Sequence, residues 1–293
     1  MSVMGRDAGN VTAHERDVEG PPPELRYRHT RSLSRAVREL WASRELIATL
    51  TERDLRSRYK QAYLGFAWAI ILPLLYMVVF TVFFKKVAGV ETGKVPYALF
   101  SYVGLLPWTF FSGAVSKAST SLVGNLSVLN KVYCPREVFP LAVITMELVD
   151  TLIASGVLLV LFGVSTYSPQ TTSFWIPLLF VIQLAFTIGV SLIVSATTVY
   201  LRDIRHALSI VLQLGLFATP VAYALSEIPS GFRPVYCFIN PLAPVIDGYR
   251  RAILLGADPK WDLLGLGALG AAITLVLGFM LFKRLEPGIA DVA

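Results

Sequence analysis

Uncharged stretches of about 20 residues recur along the chain. Residues 63–84 and 95–116 each run 22 positions without Asp, Glu, Lys or Arg, and 207–226 and 263–282 each run 20. A helix rises about 1.5 Å per residue, so about 20 apolar residues suffice to cross roughly 30 Å of hydrocarbon. A fifth stretch, 151–201, is 51 residues long, too long for one crossing, and the polar, proline-containing segment 167–173 divides it. Its first half begins near Val138 and carries Glu147 and Asp150 into the apolar layer. The pattern predicts an all-α polytopic membrane protein with six transmembrane helices, at about 62–84, 95–116, 138–166, 174–201, 207–226 and 262–283.

The segments between these runs carry patterns of their own. Residues 1–30 include Pro21, Pro22 and Pro23 and few large apolar side chains, the composition of a disordered tail. From Ser32, Leu33, Val37, Leu40, Ile47 and Leu50 recur at helical spacing with charges mostly on the other faces, which predicts an amphipathic helix over 32–50. Such a helix suits a membrane surface or a protein partner, and the spacing does not choose. Thr51, Glu52, Arg53 and Asp54 match a capping box, expected to end that helix and start the next.

Composition agrees with the crossings. Of 293 residues 55% are hydrophobic and only 16% charged, with a mean hydropathy of +0.61; soluble domains hold about 25% charged residues. A soluble enzyme, a disulfide scaffold and a disordered binder are excluded together. The net charge of +6 raises the question of nucleic acid, but the basic residues lie beside the apolar runs. With the N-terminus inside, 19 of the 26 Lys and Arg fall in inner segments and 7 in outer ones, so the charge reads as a topology signal with both termini cytoplasmic. Twelve of those 19 precede the first span. The first 60 residues lack the apolar core of a secretory signal, so the first span is expected to be retained. Cys134 and Cys237 fall on opposite sides in this topology and are not expected to pair.

Three regions hold candidate function. The loop 117–140 is too apolar for a solvated connector and too polar to cross; Leu126, Leu129 and Val132 are spaced by three, and Pro135 closes the helix they predict at about 126–137. Glu147 and Asp150, three apart, share a helix face and must meet the bundle interior, water or a base; they read as a polar entrance or as a salt-bridged helix base. The segment 228–258 contains four prolines, and its backbone cannot face lipid unpaired, so short outer helices are expected there, as a gate or equally as a plain lid over the bundle, with Arg250 and Arg251 at the outer interface. Aromatic residues make up 12% of the chain. Trp68, Tyr76, Tyr102, Trp108, Phe111, Phe217 and Tyr223 are candidates to stack on sugar faces, although aromatic side chains also anchor and pack spanning helices.

Six segments together resemble the transmembrane permease of ABC-2 type polysaccharide exporters: RYKQAYLG at 58–65, GLLPWTFFS at 104–112, KVYCPRE at 131–137, YLRDIRH at 200–206, NPL at 240–242 and FKRLE at 282–286. The likeness spans about residues 35–293, with Cys134 where the family usually has an aromatic and Asn130 where it often has a base. It implies a subunit that is not itself an enzyme. Two copies would pair as a homodimer and dock two separate ATP-binding subunits, which hold the ATP and Mg while this chain holds no cofactor. The absence of the pattern G-x-x-x-x-G-K-[ST] agrees. It further implies a coupling helix at 126–137, with Leu129, Lys131, Val132, Tyr133, Pro135, Arg136 and Glu137 contacting the ATPase subunit and Arg202, Asp203 and Arg205 forming a second contact. The cargo would be a lipid-linked polysaccharide, of O-antigen or cell-wall galactan type, moved across the inner membrane. A proton-coupled carrier and a membrane-embedded glycolipid transferase are the alternative classes; the first often shows inverted repeats and the second clustered carboxylates.

Overall fold

The structure is a computed structural model and describes residues 41–60, 67–87, 95–125, 134–165 and 167–292, together with Arg38, Gly89 and Gly93. The expected tail 1–30, most of the amphipathic segment before residue 41 and the stretch 126–133 lie outside the described residues.

The first helix, α1, runs unbroken over Arg44–Lys60. The stop and restart expected at Thr51 does not occur, because the Thr51 hydroxyl turns back to donate to the Ile47 carbonyl at 2.8 Å and reaches the Ala142 carbonyl of another helix at 3.2 Å. Leu46, Ile47 and Leu50 pack on Leu122, Val138, Phe139 and Ala142. The apolar face of this helix is therefore taken up by the chain's own bundle, while Trp41 stays exposed.

Five described helical segments are long and apolar enough to cross a membrane. They contain α2 (Ala67–Phe80, continued by the wider π turns of Thr81–Val87), α3 (Tyr97–Ser121), α4 (Val138–Val164), α5 (Ile176–Tyr200, entered through the 3-10 turn Thr171–Trp175) and the last helix, Trp261–Val292. Chain direction alternates from one to the next through the bundle, so one face of the molecule holds α1, the end of α3, the start of α4 and the end of α5. The central element is α3, with Tyr102, Leu105, Phe110 and Val115 fully buried. By contrast α2 leaves Leu72, Leu75, Val78, Val79 and Phe83 bare, as a helix facing lipid or another subunit does.

The crossing expected as a single helix at 207–226 is built differently. Helix α6, Ile204–Ala218, has 15 residues, about 22 Å of rise, and ends before Pro220. A non-helical segment completes the passage to the opposite face. There the expected short helices appear as α7, Arg233–Ile239, and α8, Leu242–Arg250, which π turns extend over Arg251–Leu255. Gly256 ends that extension at φ +64°, a left-handed cap that glycine adopts without steric cost. The last helix, here α9, then returns. It runs parallel to α5 at contact distance, because Gly189 and Gly278 put no side chain between the two backbones.

Candidate functional site

A helix that stops inside a membrane protein exposes carbonyls, and each needs a donor where water is absent. After α6 every carbonyl from Phe217 to Tyr223 has one. The Tyr223 hydroxyl reaches back to the carbonyls of Phe217 and Ala218, at 3.2 and 3.0 Å, and Tyr236 also donates to Ala218. The Val221 amide closes on the Thr219 carbonyl at 2.6 Å, and the Tyr97 hydroxyl holds the Ala222 carbonyl at 2.7 Å. The remaining three belong to Arg250: its guanidinium donates to the carbonyls of Pro220 (2.7 Å), Val221 and Tyr223 (2.9 Å), and to Phe100 at 3.2 Å. It also stacks on the Phe100 ring, 3.7 Å from the centroid. At 3% exposure this side chain is an interior clamp, not the outer-interface charge expected from the sequence. Burial lowers its pKa to about 9, which leaves it protonated at neutral pH. Arg251, half-buried, donates to the Asp258 carbonyl at 2.7 Å.

Toward the α1 face lies a second polar group. Glu147 and Asp150 of α4 share a face as their spacing requires, and both pair with Lys117 of α3: Glu147 in direct contact, Asp150 at 3.9 Å. Gly113 makes room for this, since a Cβ there would sit 3.0 Å from the Glu147 carboxyl carbon. Lys117 also lines a pocket of about 390 Å³ with Arg53, Asp54, Ser57, Thr120, Asn125 and Met146, where Arg53 donates to Asn125 at 2.8 Å. The ion pairs make Glu147 and Asp150 a salt-bridged helix base, with Lys117 between them and this pocket. Lys117→Met is expected to destabilise by up to about 3 kcal/mol, because it leaves two carboxylates facing each other in a partly dry site. The double variant Lys117→Met, Glu147→Leu should recover part of that loss, as thermal unfolding in detergent will report.

The aromatic candidates divide. Tyr102 is fully buried, its hydroxyl on the Ala154 carbonyl at 2.8 Å. Trp108 fills the space over Gly215, and Phe111 stacks on Phe186 with centroids 5.2 Å apart. Tyr223 serves the α6 end. These four are structural. Trp68 is exposed, as are Tyr76 and Phe217, at 44% and 58%. The last two flank Phe80, 6.3 and 6.5 Å from its ring, so α2 and α6 share one open aromatic face.

Of the expected ATPase contacts, Leu129, Lys131, Val132 and Tyr133 lie outside the described residues. Pro135 and Arg136 are half-buried. Glu137 is only 1% exposed and pairs with Lys283; burial raises its carboxyl above the usual range, against the opposing hydrogen bond from Lys283. Arg202 and Asp203 are exposed and Arg205 likewise, at the turn between α5 and α6. Cys134 and Cys237 are both free, and burial pushes the Cys237 thiol up to about 11. Among the described residues no group of His, Cys, Asp and Glu is arranged to hold a metal.

Sequence reasoning missed Lys117, Tyr97 and Lys283 as partners. Lys117, Tyr97 and, for its bond to Glu137, Lys283 lie far along the chain from the groups they serve; only the pairing of Lys283 with Glu286, three residues on, had a local spacing.

Residues 45–254 match the family model described as ABC-2 type transporter. The O-antigen export system permease protein RfbA of Myxococcus xanthus is 34% identical over 248 residues, covering 83% of this chain and 92% of that protein. RfbA of Klebsiella pneumoniae is 30% identical over 249 residues, covering 85% and 95%. The polysialic acid transport protein KpsM of Escherichia coli is 23% identical over 245 residues, covering 82% and 93%.

Proposed function

The chain belongs to the ABC-2 type transporter family, and from that premise we propose that it is the membrane permease of an ATP-driven exporter of a polyprenyl-diphosphate-linked polysaccharide. It is a transport subunit and not an enzyme; hydrolysis of ATP belongs to a separate partner. Two copies pair and bind two ATP-binding subunits, and the inner membrane holds the assembly with both termini cytoplasmic. The distribution of Lys and Arg, 19 inside against 7 outside, supports that orientation.

One observation carries the cargo assignment: the unshielded rings of Tyr76 and Phe217 on the joint face of α2 and α6. Sugar C–H faces stack on such rings without demanding a fixed set of hydrogen bonds, which a sliding polymer requires. The relatives named for O-antigen export and polysialic acid transport support the same cargo class. An O-antigen or a cell-wall galactan fits best.

Deleting the gene should cause a lipid-linked glycan to accumulate on the inner side of the membrane, and chemical analysis of that lipid identifies the cargo. The double variant Tyr76→Ala, Phe217→Ala should insert normally and lower export several-fold, whereas Tyr76→Phe should retain it. Full export by the double variant would refute the aromatic path.

A further inference from the structure

Three segments that stand apart in the sequence meet at one turn of α9. Arg136, from the segment 131–137, donates to the main-chain carbonyl of Glu286. Tyr200, which opens the segment 200–206, donates through its hydroxyl to the carbonyl of Leu285 at 2.6 Å. The Lys283 ammonium sits between two carboxylates, Glu137 in direct contact and Glu286 at 3.0 Å. Two successive carbonyls of α9 are thus gripped from the segment before α4 and from the last residue of α5, and the Lys283 ammonium just before them ties in the first of those segments again. Gly288 leaves the space the Tyr200 ring occupies. Beneath the turn, fully buried Phe282 packs with Leu122, Val138, Phe139 and Val199, so the polar ties rest on a firm apolar base.

Stability alone does not account for this arrangement. A buried ion pair is often no better than apolar packing of the same volume, and its best-attested use is to fix register. Here the register is that of α9 against the segment before α4 and the end of α5 at once. Earlier in the same helix, Gly278 touches the backbone of α5 at Gly189, so a displacement at the turn is passed to α5 with little slack, since close-packed interiors transmit strain.

We propose that the Lys283–Glu286 turn of α9 is a junction that makes the segment ending at Glu137 and the turn beginning at Tyr200 move as one coupling element, with Glu137, Tyr200 and Lys283 as positioning residues. This rests on the reading that both segments meet an ATP-binding partner. Helix α9 is thereby part of the energy-coupling device.

The test uses the full complex with its ATP-binding subunit in proteoliposomes, loaded with the lipid-linked glycan isolated from the deletion strain. ATP hydrolysed and glycan exported are measured together. Lys283→Met should co-purify with its partner and keep at least half of the hydrolysis, yet export at least fivefold less per ATP. Lys283→Arg should restore most of the export. Tyr200→Phe, a milder change, should lower export per ATP about twofold. Combined with Lys283→Met it should add nothing, because both loosen the same turn. Unchanged export per ATP in both single variants would overturn the junction, as would losses wholly explained by failed assembly. Absence of partner-dependent hydrolysis in the unaltered complex is a different failure: it would overturn the transporter reading itself, and the junction with it.

Discussion

Arg250→Ala is expected to release the segment that follows α6, lowering the melting temperature by many degrees and abolishing export. The guanidinium supplies donors to four carbonyls, three of them on the broken segment. Hydrogen bonds to a charged group contribute about 1.5–3 kcal/mol each, and an orphaned buried carbonyl costs about 1–3 kcal/mol. Loss of the stack on Phe100 removes about 1 kcal/mol more. Together these exceed what a marginally stable fold tolerates, so the segment would leave its place instead of remaining there unpaired. Arg250→Lys should fare little better, since an ammonium is a point donor and cannot span carbonyls that a planar fork reaches together. Gly104→Ala should act in the same direction, because the added Cβ would lie 2.9 Å from the Val221 carbonyl and press on the guanidinium itself. A cysteine placed at Ala222, buried in the parent, gives the readout: maleimide should label it faster in Arg250→Ala than in the parent. Equal labelling and equal melting would show that the clamp is not what holds the break.

The same arginine shows where sequence reading stops. Five crossings were legible because a run of uncharged residues has to go somewhere, and length alone decides where. The run 207–226 passed the same test, yet α6 stops at Ala218. Hydropathy does not register that Thr219 and Pro220 end a helix, or that a partner 30 positions away can satisfy the freed carbonyls. Arg250 read as an interfacial charge for the same reason, since its true surroundings on Phe100 and Pro220 come from other elements. The shared face of Glu147 and Asp150 was visible as an i, i+3 spacing. Their partner Lys117 was visible too, but only as one more inner charge. Thr51 had the sequence of a cap and the position of a helix interior, where a hydroxyl can satisfy itself on the carbonyl four residues back. Local patterns foretold the elements; pairings across 76 or 150 positions, such as Gln183 to Pro107 or Arg136 to Glu286, had no local trace.

Gly278→Leu should be the most damaging single change in the spanning bundle. Within a membrane, helices gain nothing from hiding apolar surface from one another, so association depends on close packing, which small residues permit. A Cβ built on Gly189 would stand 2.7 Å from the Thr274 carbonyl carbon and the Leu275 nitrogen, and one on Gly278 would stand 2.9 Å from the Gly189 carbonyl carbon. These neighbours are backbone, so no side chain can rotate away to make room. The helices α5 and α9 must separate instead, and the separation would propagate to Tyr200 and the Leu285 carbonyl it holds. Overpacking a close contact costs about 1–3 kcal/mol. The leucine should exceed that range, with an alanine at the same position falling inside it. Gly156 and Gly163 supply the controls, because a Cβ at either meets nothing within 4 Å; alanine there should be neutral or raise the melting temperature slightly, as a helix interior favours it over glycine. If Gly278→Leu melts with the Gly156→Ala control, the two backbones are not in contact, and α9 could not hand a displacement on to α5.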